Sequence, residues 1–310
     1  MPNWGEVLQE VEQRRARATV EAQQAVDLVR RDYLGKLFAK TDRNVIAYYS
    51  GWLSKPNIAQ SDINDEDKNG FMMAVHGLDK QKGLDLILHT PGGSIAATES
   101  LVNYLHKMFG TNIRAIVPQI AMSAGTMIAC SCKSIVLSKH SNLGPIDPQI
   151  LGVPAFGVIQ EFKRACREVK RDPSKASMWA QIVGQYRPGF LGQCQNSIDW
   201  SKGFVESELR SVMFAGTATA SAKAKNVVKK LTDYRGNKTH SRHIHIDELV
   251  SMGLAIEPLE ADPELQDLVL TVHHCYMHSL MNTTAFKMIE NHKGAALVKR
   301  QAVVMQAVQG

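Results

Sequence analysis

Two short stretches hold the residues whose types and spacing suit acyl-transfer chemistry. In "AMSAGT" a hydroxyl, Ser123, with Thr126 close behind it, interrupts a largely apolar run from Ala115 to Ala129. In "HTPGGS" another apolar run ends in a Pro-Gly-Gly turn, and Ser123 follows Pro91 by 32 positions. A serine at the start of a helix becomes a nucleophile when a base stands beside it. Gly92 and Gly93 can turn their backbone amides outward in conformations that other residues resist. Together with the amide of Ala124, favoured by the helix dipole, they would hold the oxygen that turns negative in acyl transfer. Ser94 and Ile95 follow directly, and an extended peptide would lie along "GGSIA", pairing backbone to backbone. The same spacing also fits a close-packed turn with Ser123 as a helix N-cap. Spacing alone weighs the two readings equally.

Positioning these turns requires strands that end where they begin. "NVIAYYSGW" (44–52), "GLDLILHT" (83–90), "NIRAIVP" (112–118) and "SIVLSK" (134–139) are β-rich and apolar. Helical patterns separate them, most clearly 95–109, where Leu101, Tyr104, Leu105 and Met108 share a face. Such alternation predicts a parallel sheet with crossover helices. Reactive groups then gather at the carboxyl ends of the strands, where both turns fall. The spacing of Ala22, Val26, Val29, Tyr33 and Leu37 predicts one helix over about 5–40. Beyond Pro154 the chain is mostly helical, with a loop at "QYRPGFLGQCQN", a return to α/β pattern at "RHIHIDELVSMGLAIEPL", and a helix pair over about 263–304.

Composition narrows the function. Charged residues at 21% and hydrophobic residues at 44% are ordinary for a soluble globular chain. No apolar run reaches the ~18 residues that a membrane span needs, and "MPNWGEVLQEVEQ" lacks the apolar core of a secretory signal. A cytoplasmic protein without an integral span is expected. Five cysteines, an odd number with no C-x-x-C pair, agree and argue against structural zinc. The net charge of +6 permits an anionic partner, but the densest basic cluster, Lys223 to Lys230, has no interleaved aromatics. A solvated helix face, with no nucleic acid, is the expectation.

"HTPGGS" followed by "AMSAGT" resembles the Clp protease and signal peptide peptidase A superfamily. "SNLGPIDPQ", "HIHIDELVSMGL" and "TTAFKMIENHKG" are most similar to the serine dehydrogenase proteinase family. The core resemblance covers about 85–149. It implies an α/β fold, a Clp protease/crotonase-like core of β-β-α units with N-terminal and C-terminal helical extensions. The expected divisions are 1–42 (N-terminal helical segment), 43–260 (peptidase domain) and 261–310 (C-terminal helical extension). It further implies Ser123 as nucleophile, the Pro-Gly-Gly turn as oxyanion hole, a peptide or protein substrate and a homo-oligomer.

The base is the open point. Clp-type enzymes place a histidine where this chain has Asp147 and Pro148. Signal peptide peptidase relatives use a lysine instead, and membrane-associated ones set it about forty residues after the serine, where Lys163 stands. Burial beside Phe156, Val158 and Phe162 would free its amine to accept a proton; the plainer reading is one more solvated helix lysine. His140 and His243 are the alternative bases. Asp147 is expected to fix the turn bordering the substrate groove. His243, His245 and Asp247 lack a further metal ligand, and His273, His274 and His278 on one helix are read as packing or capping. No metal and no cofactor is expected. The leading expectation is a serine endopeptidase. A crotonase-type acyl-CoA enzyme and a scaffold without a base are the alternatives, and dehydrogenase chemistry is excluded because no GxGxxG loop or pyridoxal-phosphate lysine motif is present.

Overall fold

The structure is a computed structural model, and it describes residues 4–18, 22–237 and 239–301. Its central sheet has seven strands. β1 (Asn44–Ser50), β2 (Leu84–His89), β3 (Ile113–Val117) and β5 (Ser134–Leu137) run parallel, as the apolar runs predict. β10 (Ile256–Pro258) adds a parallel strand beside β5. On the other side β11 (Ala285–Asn291) pairs antiparallel with β1, and β12 (Ala296–Arg300) closes the edge. The central strands lack polar alternation because both of their faces are covered. Ile46, Tyr48, Leu86, Leu88, Ala115 and Leu137 face one core; Val45, Ala47, Tyr49, Ile87, Ile116 and Val136 face the other.

A second layer of very short strands lies at the carboxyl ends of the first. β4 (Ile120–Ala121) pairs with β6 (Asn142–Leu143), and β6 pairs antiparallel with β9 (Ile244–His245). Single bridges extend it, Thr90 to Ala121 and Ile63 to Gly93. β1, β2 and β3 are thus each followed by a bridge or short strand and then a helix, which gives the expected β-β-α units. The helices of these units are α3 (Asp67–Val75), α4 (Ile95–Phe109) and α5 (Ala124–Cys130).

The termini depart from expectation. The first helical stretch is two helices, α1 (Trp4–Ala18) and α2 (Ala22–Thr41), and α1 packs back on α2 through Val7, Val11, Ala25 and Val29. α12 ends at Asn282, and the rest of the supposed second helix is the β11–β12 hairpin. The run "AFKMIEN" is buried at every position. Pairing with β1 is what makes it a strand, so the C-terminal segment builds the sheet as well as a helix. Arg30 and Glu290, both buried, tie α2 to β11 at 2.6 Å, and the Tyr276 hydroxyl of α12 donates to the same carboxylate at 3.1 Å.

A hairpin, β7 (Gln149–Ile150) and β8 (Val153–Pro154), leads out to α6 (Ala155–Arg171), α7 (Ala176–Val183) and α8 (Phe190–Glu208). "FLGQCQN", expected as loop, is the first part of α8. Phe190, Cys194 and Ile198 pack on Val158 and Ile159 of α6 to form a satellite cluster of their own. α9 (Ala220–Leu231), α10 (Tyr234–Asn237) and α11 (Ile246–Met252) complete the chain, with α12 (Pro263–Asn282) lying along α2.

Candidate active site

Ser123 sits between β4 and α5 at φ 50° and ψ −113°, and its side chain makes no capping hydrogen bond. The N-cap reading is therefore overturned, since an N-cap holds an extended backbone and accepts from the helix. A serine at positive φ is strained, and surrounding bonds must hold it there. They are visible. The Gly125 amide donates to Met122 O at 2.7 Å, and the Met122 amide to Thr90 O at 3.0 Å. The Thr126 hydroxyl donates to Ala121 O at 2.9 Å while accepting the Gly144 amide at 2.9 Å. Gly125 leaves room for Thr90, whose methyl would come within 2.5 Å of a Cβ there. That explains the small residue without invoking a substrate.

The Pro-Gly-Gly turn lies directly against this serine. A Cβ built on Gly92 would stand 2.7 Å from Ser123 Cβ and 3.0 Å from the Ala124 nitrogen, and Gly92 holds φ 102°. Its amide is engaged, donating to Thr90 Oγ1 at 3.2 Å. Gly92 as an oxyanion donor is thus corrected: it supplies closeness, not an N–H. Among the described residues the amides of Gly93 and Ala124 donate to no other backbone or side-chain group. One edge of the turn is filled by the chain itself, because the Ile63 amide donates to Gly92 O at 2.7 Å and the Ser94 amide to Ile63 O at 2.9 Å. A peptide cannot add along that edge of "GGSIA". Ser94 caps α4 by accepting from the Ala97 amide, and Ile95 packs against the core.

Lys163 lies on α6, the helix that packs into the satellite cluster. It is exposed on α6, where it borders an open apolar groove with Phe162 and Leu191. The burial that would free its amine is absent, since Val158 turns to the satellite cluster. His140 is exposed and bonded to Ser138 Oγ at 3.1 Å, and His243 is exposed as well.

A pair that sequence reasoning missed lies on the short-strand layer. His240 Nδ1 is 3.0 Å from Oδ1 of buried Asp147. In the β6–β9 register Asn142 faces His245 and Leu143 faces Ile244, and extending it by four residues puts Asp147 opposite His240. In the β4–β6 register Ala121 faces Leu143, and because the two strands run parallel, Ser123 and Asp147 both follow from the same end of this layer. The signal in the sequence was faint: Asp147 stands at the Clp histidine position, and the partner is one histidine among three in "THSRHIH".

Elsewhere burial disarms the titratable groups. It pushes the Cys130 thiol up to about 12 and His89, behind the turn, down to about 3.

A β-β-α core with a strained serine set against a Pro-Gly-Gly turn defines the Clp protease/crotonase class. Within that class the chain belongs to the ClpP-like SDH-type serine proteinase family, whose profile matches residues 19–186. Two uncharacterised proteins of Methanocaldococcus jannaschii are similar to it, one 30% identical over 195 residues and one 27% identical over 194. Each match covers 63% of this chain and 60% or 59% of the relative, so the chain spans about three-fifths of their length. Among the described residues no helix is long and apolar enough to cross a membrane.

Proposed function

We propose that the protein is a serine endopeptidase acting through an acyl-enzyme on Ser123. The observation that carries this reading is the contact of Gly92 with Ser123, together with the positive φ of that serine. A strained serine beside two uncommitted amides is what attack on a carbonyl needs, and packing alone has no use for it. A crotonase-type enzyme would need the amides but not the strained hydroxyl.

In this scheme His240 donates its Nδ1 proton to Asp147, leaving Nε2 to accept the proton of Ser123 Oγ. The alkoxide attacks the scissile carbonyl carbon. The oxygen that gains the charge is received by the amides of Gly93 and Ala124, with the dipole of α5 behind the second. His240 returns the proton to the leaving amine, and a water then repeats the sequence to free the acyl group. The peptide pairs on the side of Gly93 that Ile63 leaves open, bordered by the β7–β8 hairpin, where Leu151 is 83% exposed. Self-association is part of the proposal, because exposed Leu151, Val153, Met178 and Leu191 cluster on the segment that projects from the core.

A labelled fluorophosphonate tests the reading. Wild type should be labelled and Ser123→Ala should not; equal labelling of both would reject Ser123 as nucleophile.

A further inference from the structure

Behind the Pro-Gly-Gly turn lies a buried ion pair that peptide hydrolysis leaves unused. Lys287 on β11 and Asp67 at the start of α3 are each 1% exposed. Lys287 Nζ donates to Asp67 Oδ1 and Oδ2 at 2.9 and 3.0 Å and to Asp62 O at 2.6 Å. Burial pulls its pKa down, and the Asp67 charge opposes that. Asp67 Oδ2 also accepts from the Tyr48 hydroxyl at 2.8 Å and from the Asn64 amide at 3.1 Å. Every donor of the ammonium is used, and the carboxylate is shared by β1, the loop before α3 and β11, with Lys299 Nζ of β12 3.9 Å away.

Two branches leave the pair, and both end on the same turn. In one, Tyr48 of β1 lies opposite Leu88 of β2, and Thr90, two residues on and on the same face, accepts the Gly92 amide on its hydroxyl at 3.2 Å. In the other, Asp62 O and the Asn64 amide flank Ile63, whose own backbone bonds Gly92 O and the Ser94 amide. The Gly92 amide is therefore held from one side and its carbonyl from the other. Gly93 comes next, and Ile63 backbone atoms would lie 2.3 Å from any Cβ it carried.

We propose that Lys287 and Asp67 are positioning residues for the oxyanion site, fixing through Tyr48–Thr90 and through Ile63 the direction in which the Gly93 amide points. This rests on the reading that Gly93 receives the oxyanion. A buried ion pair adds little net stability compared with apolar side chains of the same size, and this core has ample apolar material. What the pair supplies here is direction. Its carboxylate and ammonium fix two separate strands at hydrogen-bond precision, which apolar packing does not.

Tyr48→Phe and Thr90→Val each remove an oxygen and keep the shape of the side chain. The measurement is the saturation kinetics of fluorophosphonate labelling, with thermal unfolding alongside. Both variants should remain folded and lose ~10- to 100-fold in the maximal labelling rate, with the half-saturating probe concentration unchanged. Thr90→Ser should recover most of the rate. The double variant Lys287→Met with Asp67→Leu, which leaves no unpaired charge, should show the same loss. Folded Tyr48→Phe and Thr90→Val proteins that label at the wild-type rate would overturn the inference while leaving Ser123 in place. Labelling that survives in Ser123→Ala would remove the serine reading, and this inference with it.

Discussion

His240 Nδ1 lies 3.0 Å from Asp147 Oδ1 across 93 positions of sequence. The two residues meet because β6 and β9 pair antiparallel and their register runs on past both strands. The buried carboxylate orients the ring, and a ring so held has one nitrogen left for a proton. His240→Ala and Asp147→Asn should each lower fluorophosphonate labelling by ~10²- to 10⁴-fold with folding retained. Lys163→Ala, on the exposed face of α6, should label like wild type. The opposite ranking would restore the lysine and remove the histidine.

Gly92→Ala tests the closeness of the two turns. The added methyl would stand 2.7 Å from Ser123 Cβ and 2.8 Å from Met122 O, at a φ of 102°. We expect a loss of about 1–3 kcal/mol in stability from the strained backbone and the clash. Labelling should fall to background, because the atoms that must give way are the nucleophile's own Cβ and the backbone of Met122 and Ala124 on either side of it. A normally reactive Gly92→Ala protein would separate the turn from the chemistry.

Acid should weaken the fold through buried histidines. His89, held among Tyr49, Trp52 and His273, has its pKa pushed down to about 3 by burial from an ordinary 6.5, and His273 is lowered too. The folded state excludes the proton that the unfolded chain takes up below 6.5. The contribution of His89 is thus complete above that pH and is lost as pH falls toward 3, at about 1.4 kcal/mol per unit. Urea unfolding at pH 7 and pH 5 should show the loss, and His89→Phe should make the slope shallower by about one proton. An unchanged slope would mean that His89 is protonated in the folded protein.

The N-terminal helices should prove integral to the sheet. Glu290, fully buried, accepts from Arg30 at 2.6 Å and from Arg31 at 2.8 Å. Arg30→Met would leave its carboxylate with the half-exposed Arg31 and Tyr276 only. A cost of about 3–5 kcal/mol is expected, read as a lower denaturation midpoint with unchanged cooperativity. A separate early transition would instead make α1 and α2 an independent unit.

Much of the core was legible in sequence, for local reasons. Runs such as "LDLILH" and "IRAIV" are mostly apolar because both faces are buried, and most turns that need positive φ carry glycine. Residue type also determined where chemistry could reside, since a serine and two adjacent glycines stood at the ends of such runs. Segments whose state depends on a distant partner were not legible. "AFKMIEN" looks helical by itself and becomes a strand because β1 offers it an open edge. Lys163 was placed by counting positions from Ser123, yet the β7–β8 hairpin carries α6 away into its own cluster. His240 could not be told from its neighbours in "THSRHIH", as only the register of β9 against β6 singles it out. The sequence by itself determined the central parallel strands, their crossover helices and which residue types stand at their ends, through hydrophobic runs and backbone freedom. The tertiary structure alone decided which histidine meets Asp147, which lysine is buried and which glycine amide is left without a partner, because hydrogen bonds between remote strands depend on pairing that no local pattern encodes.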